Sequence, residues 1–156
     1  MIRPDPNEHQ PAAPKAEGIK MLSAQVFSME RREVSTGTDW EAEFGYSRAV
    51  RVGDVIRVSG TAAVEDGEVV GVGDAYAQTA HILETIEASL AELDVGREAV
   101  VSTTIYVTDF DDWQEIGDAY KAFFDGVRPA TTLLEVSNLP NSDLKLEIEA
   151  TAAAVD

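Results

Sequence analysis

The feature that most constrains the fold is a pair of single-faced helical patterns set between β-branched runs. In the first, apolar residues recur at three- and four-residue intervals after Asp74, which is suited to cap a helix, and Gly96 lies just past the end. Its apolar positions are Ile82, Leu83, Ile86, Leu90 and Leu93. The second pattern begins after Thr108 or Asp109. Its expected core-facing residues are Phe110, Trp113, Ile116, Tyr120 and Phe123 or Phe124. Each helix therefore needs an apolar partner along one side only.

That partner is predicted to be one β-sheet, because the remaining patterns are typical of strands. Gly53-Asp54 separates two runs rich in Val and Ile, which predicts a hairpin. Apolar and polar residues alternate over 144–153, as in a strand with one buried face. The predicted strands cover residues 26–35, 46–52, 55–62, 68–70, 100–107, 131–136 and 144–153. The sequence thus predicts an α+β sandwich in which one mixed sheet is covered on one face by two α-helices.

Length and composition fit one domain without disulfides. The chain has 156 residues, enough for a single core, and no cysteine, which removes disulfides, thiolate nucleophiles and thiolate metal sites. Four prolines among charged and small residues predict a disordered arm over 1–24, followed by a single domain over 25–156. No apolar run is long enough to span a bilayer and the start lacks the pattern of a secretory signal. A cytoplasmic location is therefore expected.

The charge balance limits the possible partners. Acidic residues outnumber basic ones 29 to 12, which gives a formal net charge of -17. Such a field repels nucleic acid and anionic lipid, so neither nucleic acid nor membrane is an expected partner. Lysine is scarce as well. We interpret the acidity as an adaptation to a salt-rich cytosol, where screening suppresses self-repulsion; the alternative is an ordinary solubilising surface.

Five short motifs stand out along the chain. They are Tyr46-Ser-Arg-Ala, Val58-Ser-Gly, Pro129-Ala-Thr-Thr, Leu139-Pro and Glu147-Ile-Glu-Ala. In this order they resemble the signature of the reactive-intermediate deaminase family, also called RidA or YjgF, over residues 28–154. The resemblance implies a chorismate-mutase-like fold and a homotrimer that binds a small-molecule ligand at the subunit interfaces. It also implies that neither a metal nor an organic cofactor is needed.

The resemblance assigns roles to four residues. Glu149 is the expected catalytic residue, because the matching carboxylate holds and activates the water that attacks an imine carbon. Tyr46 is expected in the wall of the ligand cleft, and Ser59 and Gly60 where small residues let a ligand approach the backbone. The alternative for Glu149 is a solvent-facing charge on a terminal strand. For Ser59 and Gly60 the alternative is tight packing within the sheet.

One substitution bears on the substrate. Where the family has an Arg that grips a carboxylate with two parallel N–H donors, this chain has Thr131, whose hydroxyl can make only one neutral hydrogen bond. Thr131 and Thr132 are therefore expected to shape the pocket. Arg48 replaces a family Gln and, in a regular strand, projects from the same face as Tyr46, so it is a candidate to bind an anionic group. Arg128 is a second candidate, and pairing with surface carboxylates is the alternative for both.

The sequence therefore predicts a hydrolase of a small imine or enamine that releases ammonia, with a substrate altered by Thr131. The alternative is a non-catalytic trimer that binds a small metabolite in the same clefts. RNA cleavage, attached to the family by names such as endoribonuclease L-PSP, is least expected, because the chain lacks a basic footprint for phosphates. His9 and His81 show no metal-ligand spacing.

Overall fold

The computed structural model describes residues 29–154. Six strands form the main sheet, two more form a separate hairpin, and three helices complete the described fold. The main strands are β1 (Arg31–Val34), β2 (Ala49–Val52), β3 (Val55–Ala62), β6 (Val100–Val107), β7 (Ala130–Glu135) and β8 (Leu146–Ala153). The hairpin comprises β4 (Val64–Glu65) and β5 (Glu68–Val69), and the helices are α1 (Asp39–Phe44), α2 (Ala75–Ala91) and α3 (Trp113–Phe123). The predicted arm over 1–24, and the start of the strand predicted from Val26, lie outside the described residues.

The main sheet is mixed, as predicted. Its strand order is β1-β2-β3-β8-β6-β7, with β6 and β7 parallel and the other neighbouring pairs antiparallel. The predicted hairpin joins β2 to β3, where Val52 faces Val55 and Gly53 has a φ of 59°. Glycine accepts that left-handed conformation at little cost, which suits Gly53 to this two-residue turn.

Both long helices cover one face of this sheet. The Asp74 side chain accepts a hydrogen bond of 2.8 Å from the Ala77 amide, which confirms the predicted cap of α2. All five predicted apolar positions of α2 are buried. The helix packs on β3 and β8, and α3 packs beside it. The α+β sandwich is therefore confirmed, and we call the face of the main sheet that carries no helix the open face.

The second helical pattern begins later than predicted. Phe110–Asp112 form a 3₁₀ turn, capped by Asp109, before α3 begins at Trp113. Phe110 and Trp113 are 49% and 51% exposed, so their assignment to the core was wrong. The tighter 3₁₀ turn breaks the 3.6-residue stripe and leaves these rings at the surface. Ile116 and Phe124 are buried as expected.

Helix α1 was not predicted, although the sequence carries a local signal for it. Thr38 caps its N-terminus, Glu41 stands three residues later, and Gly45 ends it with a φ of 70°. The Thr-x-x-Glu spacing is that of a capping box, and a glycine just past the end is a common stop signal. With six residues, α1 is too short to show a periodic apolar stripe.

A buried glutamine fixes the entry to β8. Gln78 on α2 is fully buried, and its Nε2 donates to the Asp143 carbonyl at 2.8 Å while its Oε1 accepts from the Lys145 amide at 2.8 Å. A buried amide satisfied on both sides holds the two segments in one register. Helix α2 thereby positions the strand on which the candidate site is built.

Candidate functional site

Strand β8 places its carboxylates on the open face. Leu146, Ile148 and Ala150 are buried beneath the helices, so Glu147 and Glu149 project from the opposite side. The Glu149 side chain is 31% exposed, and its Oε2 lies 3.8 Å from Arg57 Nη2 on β3. The structure thus places Glu149 on an uncovered but partly desolvated surface.

Glu147 lies closer to the backbone than its neighbour on the strand. The pairing of β3 with β8 shifts register between Val58 and Thr61, and Gly60 lies within this irregular stretch. A Cβ built on Gly60 would overlap Oε1 of Glu147. The space left by the missing side chain is therefore occupied by the Glu147 carboxylate, as in the packing interpretation of Gly60. Glu147 was not among the residues that the sequence singled out.

Arg48 reaches the same point from the residue before β2, because this strand begins at Ala49 and not at Tyr46 as predicted. It is 8% exposed, and its Nη2 donates to the Gly60 carbonyl at 2.5 Å. Its guanidinium carbon lies 5.7 Å from the centroid of the Tyr46 ring. Within residues 29–154, the buried Nε of Arg48 has no hydrogen-bond partner. The Arg48 guanidinium is therefore held by a backbone carbonyl and lies near an aromatic ring, while its Nε is closed off from solvent.

Burial and neighbouring charges shift the pKa values of two groups on this surface. Burial raises the pKa of Glu147, Arg48 works against the increase, and the nearby charge of Glu149 adds to it. Burial also raises the pKa of the Tyr106 hydroxyl on β6, and the charge of Glu149 raises it further. Half-buried carboxylates of this kind are suited to exchange protons with a bound ligand.

An open cavity of about 500 Å³ lies between the segment before β2 and strand β3, and Arg48, Glu147 and Glu149 are not part of its lining. Its lining includes Tyr46, Ser47, Ser59 and the buried residue Glu41. The Ser59 hydroxyl donates to the Ser47 carbonyl at 2.8 Å, which ties the segment before β2 to β3. Tyr46 and Ser59 therefore line one cavity, and the Ser59 hydroxyl is engaged by the backbone. Their place in a ligand cleft stays a prediction.

Glu41 holds the wall of this cavity in place. Its carboxylate accepts hydrogen bonds from the Ser35 hydroxyl at 2.5 Å and from the hydroxyl and amide of Thr36. Burial by itself favours a higher pKa for Glu41, but the hydrogen bonds from Ser35 and Thr36 outweigh it and lower the pKa overall. The ionised carboxylate thus organises the loop that leads into α1.

Thr131 lies apart from these groups within the subunit. It is on the face of β7 that borders α3, where its hydroxyl is 2.6 Å from the Tyr120 hydroxyl and 3.1 Å from that of Thr103. The Tyr120 and Thr103 hydroxyls are 2.7 Å apart. We call Thr103, Tyr120 and Thr131 the hydroxyl cluster. One chain therefore does not bring Thr131 to Glu149.

Thr132 and Arg128, the candidates near Thr131 in the sequence, lie in different places from it. Thr132 projects to the open face, because it pairs with Thr104, which in turn pairs with Glu149 across β6 and β8. Arg128 is exposed at the turn before β7. Thr132 is thus on the same face as the carboxylates, whereas Arg128 stands at the end of the sheet.

A second cavity, of about 630 Å³, lies near the end of α2. Its arginines are already engaged: Arg32 Nη1 is 2.5 Å from an Asp94 carboxylate oxygen, and Arg51 Nη1 donates to the Leu93 carbonyl at 2.7 Å. Because these two arginines are already paired within the chain, they are not available to bind an anionic ligand. This cavity is therefore the weaker candidate site, although it is larger.

Two further searches concern residues 29–154 alone. They contain no group of three or more His, Asp or Glu side chains placed to hold a metal ion. None of their helices combines the length and the apolar character required to cross a bilayer. The polar groups described above at the candidate site are carboxylates, arginines and hydroxyls.

Comparison with protein families gives a match over most of the chain. Residues 36–154 match the family described as endoribonuclease L-PSP. An uncharacterised protein of Streptomyces coelicolor is 39% identical over 127 residues, which cover 80% of this chain and 95% of that one. A 3-aminoacrylate deaminase, RutC, of Acinetobacter baylyi is 34% identical over 108 residues, covering 69% of this chain and 85% of that one.

Solved structures share the same fold. A member of the YjgF family from Mycobacterium tuberculosis superposes with a TM-score of 0.73 at 39% identity, covering 80% of this chain and all of that one. The YjgF gene product of E. coli has a TM-score of 0.65 at 31% identity, covering 78% of this chain and 91% of that one. Both agree with the mixed sheet and its two covering helices.

Proposed function

Because the chain belongs to the endoribonuclease L-PSP family, also called RidA or YjgF, we propose that it hydrolyses a small imine or enamine and releases ammonia. The observation that carries the proposal is the pair of partly desolvated carboxylates, Glu147 and Glu149, on the open face. The deaminase among its relatives supports the same reaction class. A cytoplasmic location for the activity remains a prediction.

The reaction needs a base beside an electrophilic carbon. Water adds to the imine carbon, its proton passes to Glu149, and the electron pair of the C=N bond moves to nitrogen, which is protonated. The nitrogen of the resulting carbinolamine then takes a second proton, the hydroxyl proton is removed, and the C–N bond breaks with its electrons leaving on nitrogen, which yields a carbonyl compound and ammonia. Carboxylates can donate and accept the protons that these steps require.

Arg48 is proposed to bind an anionic group of the substrate. Its charge acts on Glu147, so the guanidinium lies close enough to the carboxylates of the open face to attract an anion that reaches them. Tyr46, Ser59, Gly60 and Thr132 would complete the pocket wall. In this proposal Arg48 takes over the task of the family Arg that Thr131 replaces, which changes where the substrate carboxylate lies.

A homotrimer with ligand clefts between subunits is part of the proposal. Thr131 and Glu149 are on opposite faces of one subunit, so they could share a cleft only across an interface. The open face also exposes Val55 at 57%, Val101 at 49% and Leu134 at 37%. Apolar groups at this density favour a partner surface.

A second candidate is a non-catalytic protein that binds a small metabolite in the same cleft. The engagement of Thr131 within the hydroxyl cluster favours it, because this position no longer provides a carboxylate-binding Arg. RNA cleavage is least favoured, given a net charge of -17.

Ammonia release from 2-iminobutanoate and 2-iminopropanoate, generated in situ in high-salt buffer, tests the proposal. We expect wild-type activity that is lost in Glu149→Ala and reduced in Arg48→Ala, with Glu68→Gln on the exposed β5 as the matched control. An inactive wild type would overturn the proposed hydrolysis. Activity gained only in Thr131→Arg would indicate a retuned cleft and favour the binding protein.

A further inference from the structure

Two carboxylates on one strand face occupy different surroundings. Glu147 lies against the Gly60 backbone, with Arg48 as the cation that acts on it. Glu149 lies beside Arg57, at 3.8 Å from its Nη2. Strand geometry separates residues i and i+2 by about 7 Å, so a small planar ligand can contact both carboxylates at once.

We propose that Glu147 and Glu149 form an unequal proton-transfer pair. In each step one of them donates a proton and the other accepts one, and the roles are reversed between the two steps. The inference rests on the proposed imine hydrolysis and adds a second catalytic residue to it. Glu147 is the first proton donor and Glu149 the first proton acceptor. The two residues exchange these roles after water addition, and each returns to its starting state when ammonia leaves.

The proton balance closes over one turnover. During addition, the O–C bond forms, Glu149 takes a proton from water, and the C=N electron pair moves to nitrogen, which takes the proton of Glu147. During collapse, Glu149 returns its proton to nitrogen, the C–N bond breaks with its electrons leaving on ammonia, and Glu147 takes the hydroxyl proton as C=O forms. Each carboxylate thus ends in its starting state.

The surroundings of Glu147 favour its protonated start. Burial raises its pKa, and the like charge of Glu149 two residues away raises it further. Arg48 opposes this effect, while Arg57 lies next to Glu149. Tyr106 is the remaining titratable group that faces the pair, from β6. The cations thus approach the two carboxylates from different sides.

Gly60 gives Glu147 its place. The carboxylate fills the volume that any larger residue would take, which keeps it against the sheet and partly out of water. The obstructing atoms belong to the end of a flexible side chain. A larger residue at position 60 would therefore displace Glu147 without requiring a shift of the backbone.

Steady-state kinetics of Glu147→Gln tests the pair. We expect kcat for 2-iminopropanoate to fall by about 100-fold or more, with KM within about twofold, because an amide cannot donate the carboxylic proton. Wild-type kcat should also decline as pH rises through the titration of Glu147, and this decline should vanish in the variant. Glu68→Gln is the control for a neutralised surface charge. A variant that keeps both the wild-type kcat and the high-pH decline would overturn the inference.

A titration without substrate separates this inference from the proposed hydrolysis. Carbon-13 NMR of the Glu147 carboxyl should give a midpoint above the ordinary range of glutamate. Arg48→Gln should raise that midpoint and Glu149→Gln should lower it, because they remove an opposing and a reinforcing charge respectively. A midpoint in the ordinary range would sink the unequal pair even if ammonia release were observed. An elevated midpoint in an inactive protein would instead place the failure in the proposed hydrolysis.

Discussion

The charged part of the open face and the hydroxyl cluster occupy opposite faces of the same sheet. The two surfaces differ in how far their polar groups are hydrogen-bonded. On the open face, Arg48 has a buried donor without a partner among residues 29–154, and Glu147 is held half out of water. In the hydroxyl cluster, the hydroxyls of Thr103, Tyr120 and Thr131 lie within 3.1 Å of one another. The first surface brings carboxylates and arginines together, whereas the second is a set of hydroxyls that satisfy one another.

This difference explains what replacing Arg by Thr131 changes. A threonine in the hydroxyl cluster contributes to the packing of α3 on β6 and β7, and it offers a ligand no free charge. The positive charge nearest the carboxylates comes instead from Arg48 and Arg57. Chemistry on an anionic substrate is thus expected to depend on the open face and stability on the hydroxyl cluster.

A large effect is expected from Arg48→Gln, which introduces the residue that the family resemblance gives at this position. Loss of a charge-assisted hydrogen bond, worth about 1.5–3 kcal/mol, should raise KM for 2-iminopropanoate by about 10- to 100-fold and leave kcat within a few-fold. Initial rates over a range of substrate concentrations measure the split. An unchanged KM would mean that Arg48 does not bind the substrate.

Glu41→Gln should destabilise the wall of the cavity by about 2 kcal/mol, because Ser35 and Thr36 would lose an ionised acceptor. The pKa of Glu41 is lowered on folding, so its contribution is present above the unfolded-state pKa and is lost as pH falls through the folded-state pKa. Urea unfolding from neutral to acidic pH should therefore show wild type and variant converging at low pH. A constant difference would contradict this assignment.

Gly60→Ala tests whether activity depends on where the Glu147 carboxylate lies, and not only on whether it is present. The added methyl would displace the carboxylate, so kcat should fall by about tenfold while Tm changes by only a few degrees. The double variant with Glu147→Gln should be no slower than Glu147→Gln alone, because both act on one group. Additive losses would show that Gly60 acts through something else.

Glu147→Gln should raise Tm slightly at neutral pH. The pKa of Glu147 is raised on folding, so the ionised carboxylate costs stability as pH rises from the unfolded-state pKa through the folded-state pKa, and there is no cost below both. Because the size of the gain follows the shift in pKa, it should be present at neutral pH and absent at acidic pH. Thermal unfolding at acidic and neutral pH measures it, and a variant less stable at neutral pH would contradict the sign.

Tyr120→Phe should cost about 1 kcal/mol of stability, since it removes the hydroxyl shared by Thr103 and Thr131. Activity should stay within about twofold of wild type. Urea unfolding and ammonia release on the same preparation check both halves. A large loss of activity in a folded variant would move the hydroxyl cluster into the site.

The salt dependence of stability tests the interpretation of the charge. With a net charge of -17, self-repulsion should fall and Tm should rise by a few degrees between low-salt buffer and molar potassium chloride. Size-exclusion chromatography over the same range follows the proposed trimer. An indifferent Tm would favour an ordinary solubilising surface.

Much of the fold could be predicted because each pattern was long enough to show its period. The α2 stripe and the alternation of β8 each repeat several times and were confirmed. The start of α3 could not be placed, because Phe110 and Trp113 fit a helical stripe equally well until the 3₁₀ turn rotates them outwards. Helix α1 depends on a capping motif, which is local and easily missed.

The motifs supply part of the candidate site, whose role stays a prediction. They identified Tyr46 and Ser59, which line one cavity, and Arg48 and Glu149, whose charges both act on Glu147. Glu147 was missed because its burial depends on the register shift opposite Gly60, a long-range feature that no local pattern reports. The separation of Thr131 from Glu149 likewise follows from which face of β7 meets α3.

The most direct test of the division between the two faces compares Glu149→Gln with Thr131→Val in one ammonia-release assay. We expect kcat/KM for 2-iminopropanoate to fall by about 100-fold or more in Glu149→Gln and to stay within about twofold in Thr131→Val. A folded Thr131→Val protein without activity, beside an active Glu149→Gln protein, would place the chemistry on the helix-covered face of the sheet and contradict this account.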